Sequence, residues 1–158
     1  MELTAVASIE IAAPPEEVFD FITAPDVVGR TFGGWGPIPR ALESRLVSEG
    51  PMRVGSVRQV VSADGSVIDE EILELERPGV QAYRLARGMR FPFSAIVREA
   101  RGRWTIDATE GGSAVRWRFV FVLRSALLWP LAYLLAAAFR QAMRANLANT
   151  KGAIERAW

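Results

Sequence analysis

The feature that most constrains this chain is a change of hydrophobic period partway along it. From Arg40 to Leu123 apolar and polar residues alternate in short runs; from Phe139 to Trp158 large apolar residues recur every third or fourth position. Period two belongs to half-buried strands, and a period near 3.6 belongs to one face of a helix. The alternating runs fall near residues 42–48, 56–62, 67–76, 80–87, 96–108 and 114–123. Between them stand Gly50-Pro51, Asp64-Gly65, Pro78-Gly79, the segment 88–92 and Gly111-Gly112. Asp-Gly and Gly-Gly make two-residue hairpin turns, and strands joined that tightly are antiparallel. Thr4–Ala12 alternates as a further strand. Pro14-Pro15 followed by Glu16 and Glu17 opens a short helix, since proline suits the first turn and acids there complement the macrodipole. Residues 26–30 have room for one more helical turn. Thr31–Pro39, with glycines at 33, 34 and 36, is a loop.

These elements predict an α+β domain over residues 1–158. About seven antiparallel strands form one sheet, two short helices follow the first strand, and a long helix ends the chain. That helix is the only element long enough to cover the apolar face of the sheet.

Neither cysteine nor histidine occurs. Their absence excludes disulfides, thiolate nucleophiles, zinc sites of Cys or His, and Ser-His-Asp machinery. Carboxylates, tyrosine and arginine are left to carry any chemistry. An all-carboxylate metal site survives that exclusion, but no metal or cofactor is expected. Gly33-Gly34-Trp35-Gly36 lacks the Lys-Ser/Thr of a phosphate-binding loop and reads as a flap near a pocket entrance. The net charge of +1 hides a split: residues 1–79 carry 14 acids and 6 bases, and residues 80–158 carry 4 acids and 13 bases. An acidic strand at 67–76 meeting a basic one at 80–87 accounts for part of it. Arg98, Arg101, Arg103, Arg116 and Arg118 keep few acids nearby. No aromatic motif accompanies these bases, so nucleic acid is not an expected partner. The start of the chain shows no basic-then-apolar leader, which makes a cytoplasmic location the default expectation.

Alternation assigns faces. Leu73 and Leu75 are expected to face the long helix, and Asp69 and Glu71 with them. Tyr83, Leu85 and Arg87 follow on the next strand, Arg98, Trp104 and Ile106 on the next, then Trp117, Phe119 and Phe121. One bulge would flip part of any such set. Asp69, Glu71, Arg87 and Arg98 are therefore the candidate catalytic residues, with Tyr83 beside them. Shielded carboxylates can serve as acid or base, and an arginine can hold an enolate or carboxylate. The competing reading is cross-strand pairing between these acids and arginines at the sheet edge. The candidate ligand contacts are Phe32, Trp35, Leu73, Tyr83, Leu85, Phe91, Phe93, Trp104, Trp117, Phe119, Phe139 and Met143, any of which could equally be core.

The order of motifs resembles the helix-grip fold of the START, birch-pollen-allergen and polyketide-cyclase superfamily (SRPBCC). Residues 9–19 (IEIAAPPEEVF) look like its first strand and helix, and Val54-Gly55 like its third-strand opening. Residues 71–78 (EILELERP) with Tyr83-Arg84-Leu85 look like its central hairpin, and residues 111–117 (GGSAVRW) like its last. Leu147, Lys151 and Glu155 look like the end of its grip helix. The resemblance implies a curved sheet around a long helix, with a cavity for a hydrophobic or aromatic small molecule or a lipid. It also admits a cyclase or dehydratase.

The segment 126–139 is apolar all round except for the Tyr133 hydroxyl. Its uninterrupted run, 125–139, is shorter than the roughly 20 residues of a membrane span. Leu127, Leu128, Trp129 and Leu131 are expected to close one end of the cavity. The alternatives are peripheral membrane contact or a homodimer through the same four residues.

Overall fold

A computed structural model describes residues 1–157, apart from the side chain of Ala86. In chain order the elements are β1 (Glu2–Ile11), α1 (Pro15–Ile22), α2 (Val27–Thr31), β2 (Ala41–Leu46), β3 (Val57–Ser62), β4 (Val67–Glu76) and β5 (Val80–Arg87). There follow α3 (Phe93–Ile96), β6 (Val97–Thr109), β7 (Gly112–Leu123), a 3-10 turn at Ala126–Leu128, and α4 (Trp129–Arg156). All seven strands join one antiparallel sheet in the order β1-β7-β6-β5-β4-β3-β2. This is the helix-grip α+β architecture. The one-turn α3 is an element that alternation did not indicate.

The pairing of β1 with β7 closes the topology. Ile11 lies opposite Ser113 and Glu2 opposite Val122, and α4 packs against this pair. The strand pairings define two ends of the molecule. At the turn end lie α1, the β4–β5 and β6–β7 turns and the C-terminus of α4. There Glu155 accepts from the Ala12 N–H at 3.0 Å, and Lys151 donates to the Glu10 carbonyl at 2.8 Å. At the loop end lie segments 32–40, 63–66 and 88–92 and the start of α4.

The buried face of α4 changes character along its length. Near the start it presents mostly small residues, Ala132, Ala136, Ala138 and Ala142, with Leu135; later it presents Met143, Leu147 and Ile154. Small residues let the helix lie close to the sheet, and the larger ones then fill the core toward the turn end. Asn146 and Asn149 fasten α2 to α4. Asn146 donates to the Thr31 hydroxyl at 3.0 Å and Asn149 to the Thr31 carbonyl at 2.9 Å.

Four residues expected to close the cavity do not do so. Leu127 (89% exposed), Trp129 and Leu131 face outward, as does Leu134, while Leu128 is half-buried. The reason is helical geometry: Ala132, Leu135 and Ala136 already occupy the face turned to the sheet, so the intervening large residues point away. The 32–40 loop is also tied down. Trp35 and Ile38 exchange backbone hydrogen bonds of 3.0 and 2.8 Å. Gly34 makes that closure possible: its φ is +72°, and a Cβ there would stand 2.4 Å from the Ile38 carbonyl oxygen.

Candidate functional site

Between the sheet and α4 lies a cavity of about 160 Å³ that reaches the loop end. Its floor is aromatic. Trp104 on β6 and Trp117 on β7 are directly opposite in register and stack at 4.6 Å with their planes 17° apart. Phe119 and Phe121 continue along β7, and Phe139 reaches down from α4 to within 4.3 Å of the Phe119 centroid. Phe32, at the end of α2, meets both Trp117 and Phe139. Offset and edge-on pairs of this kind suit the aromatic quadrupole. Leu85, Met89 and Phe93 also line the space toward the loop end.

Tyr83 is held by two features of β6 and β7. In register it faces Gly102, where a Cβ would lie 2.1 Å from the phenol ring carbon that bears the hydroxyl. Only glycine leaves room for the ring there. The Tyr83 hydroxyl accepts from Trp117 Nε1 at 3.1 Å. Burial, and then the negative charge of Glu70, raise the Tyr83 pKa far above the ordinary phenol value. Tyr83 is thus a neutral hydrogen-bonding group rather than a base.

One ion pair sits in this wall. Arg58 on β3 and Glu70 on β4 are opposite in register and nearly fully buried, with Arg58 Nη2 donating to Glu70 Oε1 at 3.0 Å. Arg58 Nη1 also donates to the Ala24 carbonyl at 3.3 Å and more weakly to that of Ile22. The guanidinium therefore ties the α1–α2 corner to the sheet. Thr31, Asn146 and Thr150 add a second polar stretch of wall.

Arg58 and Glu70 were missed by alternation, yet a signal existed. In the 57–62 run, Val57 and Val61 draw the eye to the wrong face. The Asp64-Gly65 turn, however, places residues equidistant from position 64 opposite each other, so a base at 58 and an acid at 70 must meet. Asn146, Thr150 and Thr31 left no comparable signal, because their partners are distant in sequence.

The candidate catalytic residues fall elsewhere. Pairing shifts between Asp69 and Glu70 and again between Ile72 and Glu74. The first shift skips a residue of β5, so alternation on β4 runs unbroken to Ile72: Ile68, Glu70 and Ile72 face inward and Asp69 and Glu71 outward. Leu73, the extra β4 residue at the second shift, is exposed rather than turned to the cavity, and only past it does Leu75 pack against the core. Glu71 pairs with Arg84 across the outer face, and Asp69 accepts from Gln59 at 3.3 Å. A bulge between Val97 and Glu99 likewise leaves Arg98 exposed, although Trp104 faces inward. Arg87 is exposed at the end of β5. Bulges reverse the inward set without changing the hydrophobic period visible on either side.

Of the candidate ligand contacts, Phe32, Tyr83, Leu85, Phe93, Trp104, Trp117, Phe119 and Phe139 line the cavity. Trp35 is half exposed, Phe91 is 82% exposed at the loop end, and Met143 is fully buried in the core. Val27, Ile38, Val60 and Ala100 line the cavity as well and were not singled out.

A sheet gripping one long helix, with an aromatic cavity between them, defines a ligand-binding fold of the birch-pollen-allergen and polyketide-cyclase kind. The chain belongs to the family described as polyketide cyclase / dehydrase and lipid transport, whose model matches residues 2–155. Solved structures agree on the fold. Ara h 8.0201 is similar at a TM-score of 0.74 and 17% identity, over 99% of each chain. Ginseng major latex-like protein 151 from Panax ginseng is similar at 0.71 and 15%, over 96% of this chain and 97% of that one. The di-domain ARO/CYC BexL from the BE-7585A biosynthetic pathway is similar at 0.69 and 19%, over 96% of this chain and 49% of that one. No match was found among curated protein sequences.

Proposed function

We propose that this protein binds a hydrophobic or aromatic small molecule, or the end of a lipid, in the cavity between the sheet and α4. The observation that carries this reading is the aromatic wall of Trp104, Trp117, Phe119 and Phe139, interrupted by few polar groups. Ligand pockets are typically apolar with a small number of placed polar groups. Size narrows the ligand. An apolar cavity of roughly 150 Å³ accommodates benzene, and this one has about 160 Å³. A one- or two-ring compound suits the interior, and a longer molecule would extend past the rim at the loop end.

A cyclase or dehydratase reading resting on Asp69, Glu71, Arg87 and Arg98 finds no support, since none of the four meets the cavity.

The test is titration of an anilinonaphthalene probe, with native mass spectrometry of the purified protein. Micromolar probe binding that Val60→Phe abolishes, or a co-purifying mass, is the expected result. Absence of both sinks the proposal. Circular dichroism of the variant checks that lost binding reflects a filled cavity and not a lost fold.

A further inference from the structure

The first turns of α4 carry an apolar surface that the fold does not use. Leu127, Trp129, Leu131, Tyr133 and Leu134 are each more than half exposed. Phe91, at 82%, lies at the same end of the molecule. The two pieces are joined: the Arg124 N–H donates to the Ile96 carbonyl at 3.0 Å, and Arg124 Nε donates to the Ser94 carbonyl at 2.6 Å. The segment before α4 is thus fixed against the stretch that follows Phe91. An exposed apolar cluster of this extent marks an interaction surface.

The surrounding charge selects the partner. Arg87, Arg98 and Arg124 are exposed at this end, and half-buried Arg140 and exposed Arg144 continue along α4 beyond Tyr133. Of the acids at this end, Glu2 and Glu99 pair with Arg101 and Asp69 accepts from Gln59, which leaves Asp64 beside Arg90. Among the described residues, Arg98 and Arg124 have no carboxylate partner. The turn end carries more acids than bases, with Glu16, Glu17, Asp20, Glu49, Glu76, Glu110 and Glu155 against Arg53, Arg77, Lys151 and Arg156. A two-fold dimer through the apolar patch would bring the arginines of both copies together. An anionic lipid surface would instead neutralise them. Trp129 and Tyr133 have the amphipathic rings that favour the headgroup level.

By length and hydropathy alone, 126–156 qualifies as a span. Its second half, however, is committed to the fold through Asn146, Leu147, Thr150 and Ile154. The helix therefore meets a bilayer with its start only.

We infer that the loop end of the protein, formed by the start of α4 and Phe91 within a ring of arginines, docks on the surface of an anionic membrane. This docking stands on the surface alone and does not depend on the cavity holding a ligand.

The experiment is flotation of the purified protein with vesicles of phosphatidylcholine alone or mixed with phosphatidylglycerol, alongside light scattering without lipid. The wild type should float with the anionic vesicles, less so as salt rises. Leu131→Glu with Leu134→Glu should lower that partition by about tenfold or more. Arg98→Glu with Arg124→Glu should reduce it on anionic vesicles and leave any binding to phosphatidylcholine unchanged. Both variants should keep the wild-type circular dichroism and any mass that co-purifies in the cavity, so a failure here is separable from a failure of the cavity reading. No flotation with either vesicle overturns the inference. So does flotation insensitive to the leucine substitutions. A lipid-free dimer that those substitutions dissociate overturns it in favour of a second copy of the chain.

Discussion

Two ion pairs on the same three-strand stretch make the most instructive comparison in the molecule. Arg58–Glu70 and Arg84–Glu71 are both cross-strand pairs of arginine with glutamate, and their acids are adjacent in sequence. The first is almost wholly buried; the second is about 40% exposed on each side. The first also bonds the carbonyls of the α1–α2 corner and lines the cavity. The second rests on the open face of the sheet. A shift of one position along β4 thus separates a structural anchor from a surface contact. Water is the reason. Solvent screens the outer pair and competes for it, whereas Glu70 is the one charge that answers buried Arg58, beside the Ala24 and Ile22 carbonyls.

Glu70→Ala should cause the largest change. It strands the Arg58 charge in an apolar wall, and removing one partner of a buried pair costs about 3–5 kcal/mol. Urea unfolding at neutral pH measures the loss. A drop no larger than that of a surface substitution would mean that water reaches Arg58. Replacing both partners, Arg58→Met with Glu70→Leu, should recover most of the stability, because no charge is then left unpaired.

Gly102→Ala tests the buried face without charge. The added methyl collides with the Tyr83 ring, and overpacking of this kind costs about 1–3 kcal/mol. It should also break the Trp117–Tyr83 hydrogen bond and alter tryptophan fluorescence. The neighbouring change Arg101→Ala, on the outer face, should leave the spectrum unaltered.

Glu71→Gln should have a small effect on the unfolding midpoint, and that effect should vanish in high salt. A large, salt-independent loss would erase the contrast between the two pairs.

The smallest effect belongs to the outer acids of the turn end. Hydrogen bonds from Arg77 hold the Asp20 pKa below its ordinary value, and the Ala12 N–H followed by Lys151 does the same for Glu155. A folded-state pKa below the unfolded one gives stability that is present above the unfolded value, near 4. It is lost as pH falls through the folded value. Asp20→Asn should therefore flatten the acid limb of the stability curve slightly and leave its shape at alkaline pH unchanged.

Much of the fold was legible in the sequence. The hairpins at Asp64-Gly65 and Gly111-Gly112, the strands they join and the terminal helix all follow from local pattern, because turn chemistry and hydrophobic period act over a few residues. The candidate site was legible only in part. Tyr83, Leu85, Trp104, Trp117 and Phe119 lie on strand stretches where alternation runs unbroken to the cavity. Leu73 and Arg98 were assigned to the wrong face because each sits at a bulge, where one unpaired residue reverses inside and outside.

The sequence by itself determined the order of the strands and of every helix but α3, the antiparallel pairing of neighbours and the absence of cysteine and histidine chemistry. Only the tertiary structure decided that Glu70 is buried and Glu71 is not, that Asn146 fastens α2, and that Leu131 and Leu134 of early α4 face solvent while Leu135 does not. Each of these turns on the packing of residues far apart in the chain. Burial depends on that packing, whereas period and turn chemistry act locally.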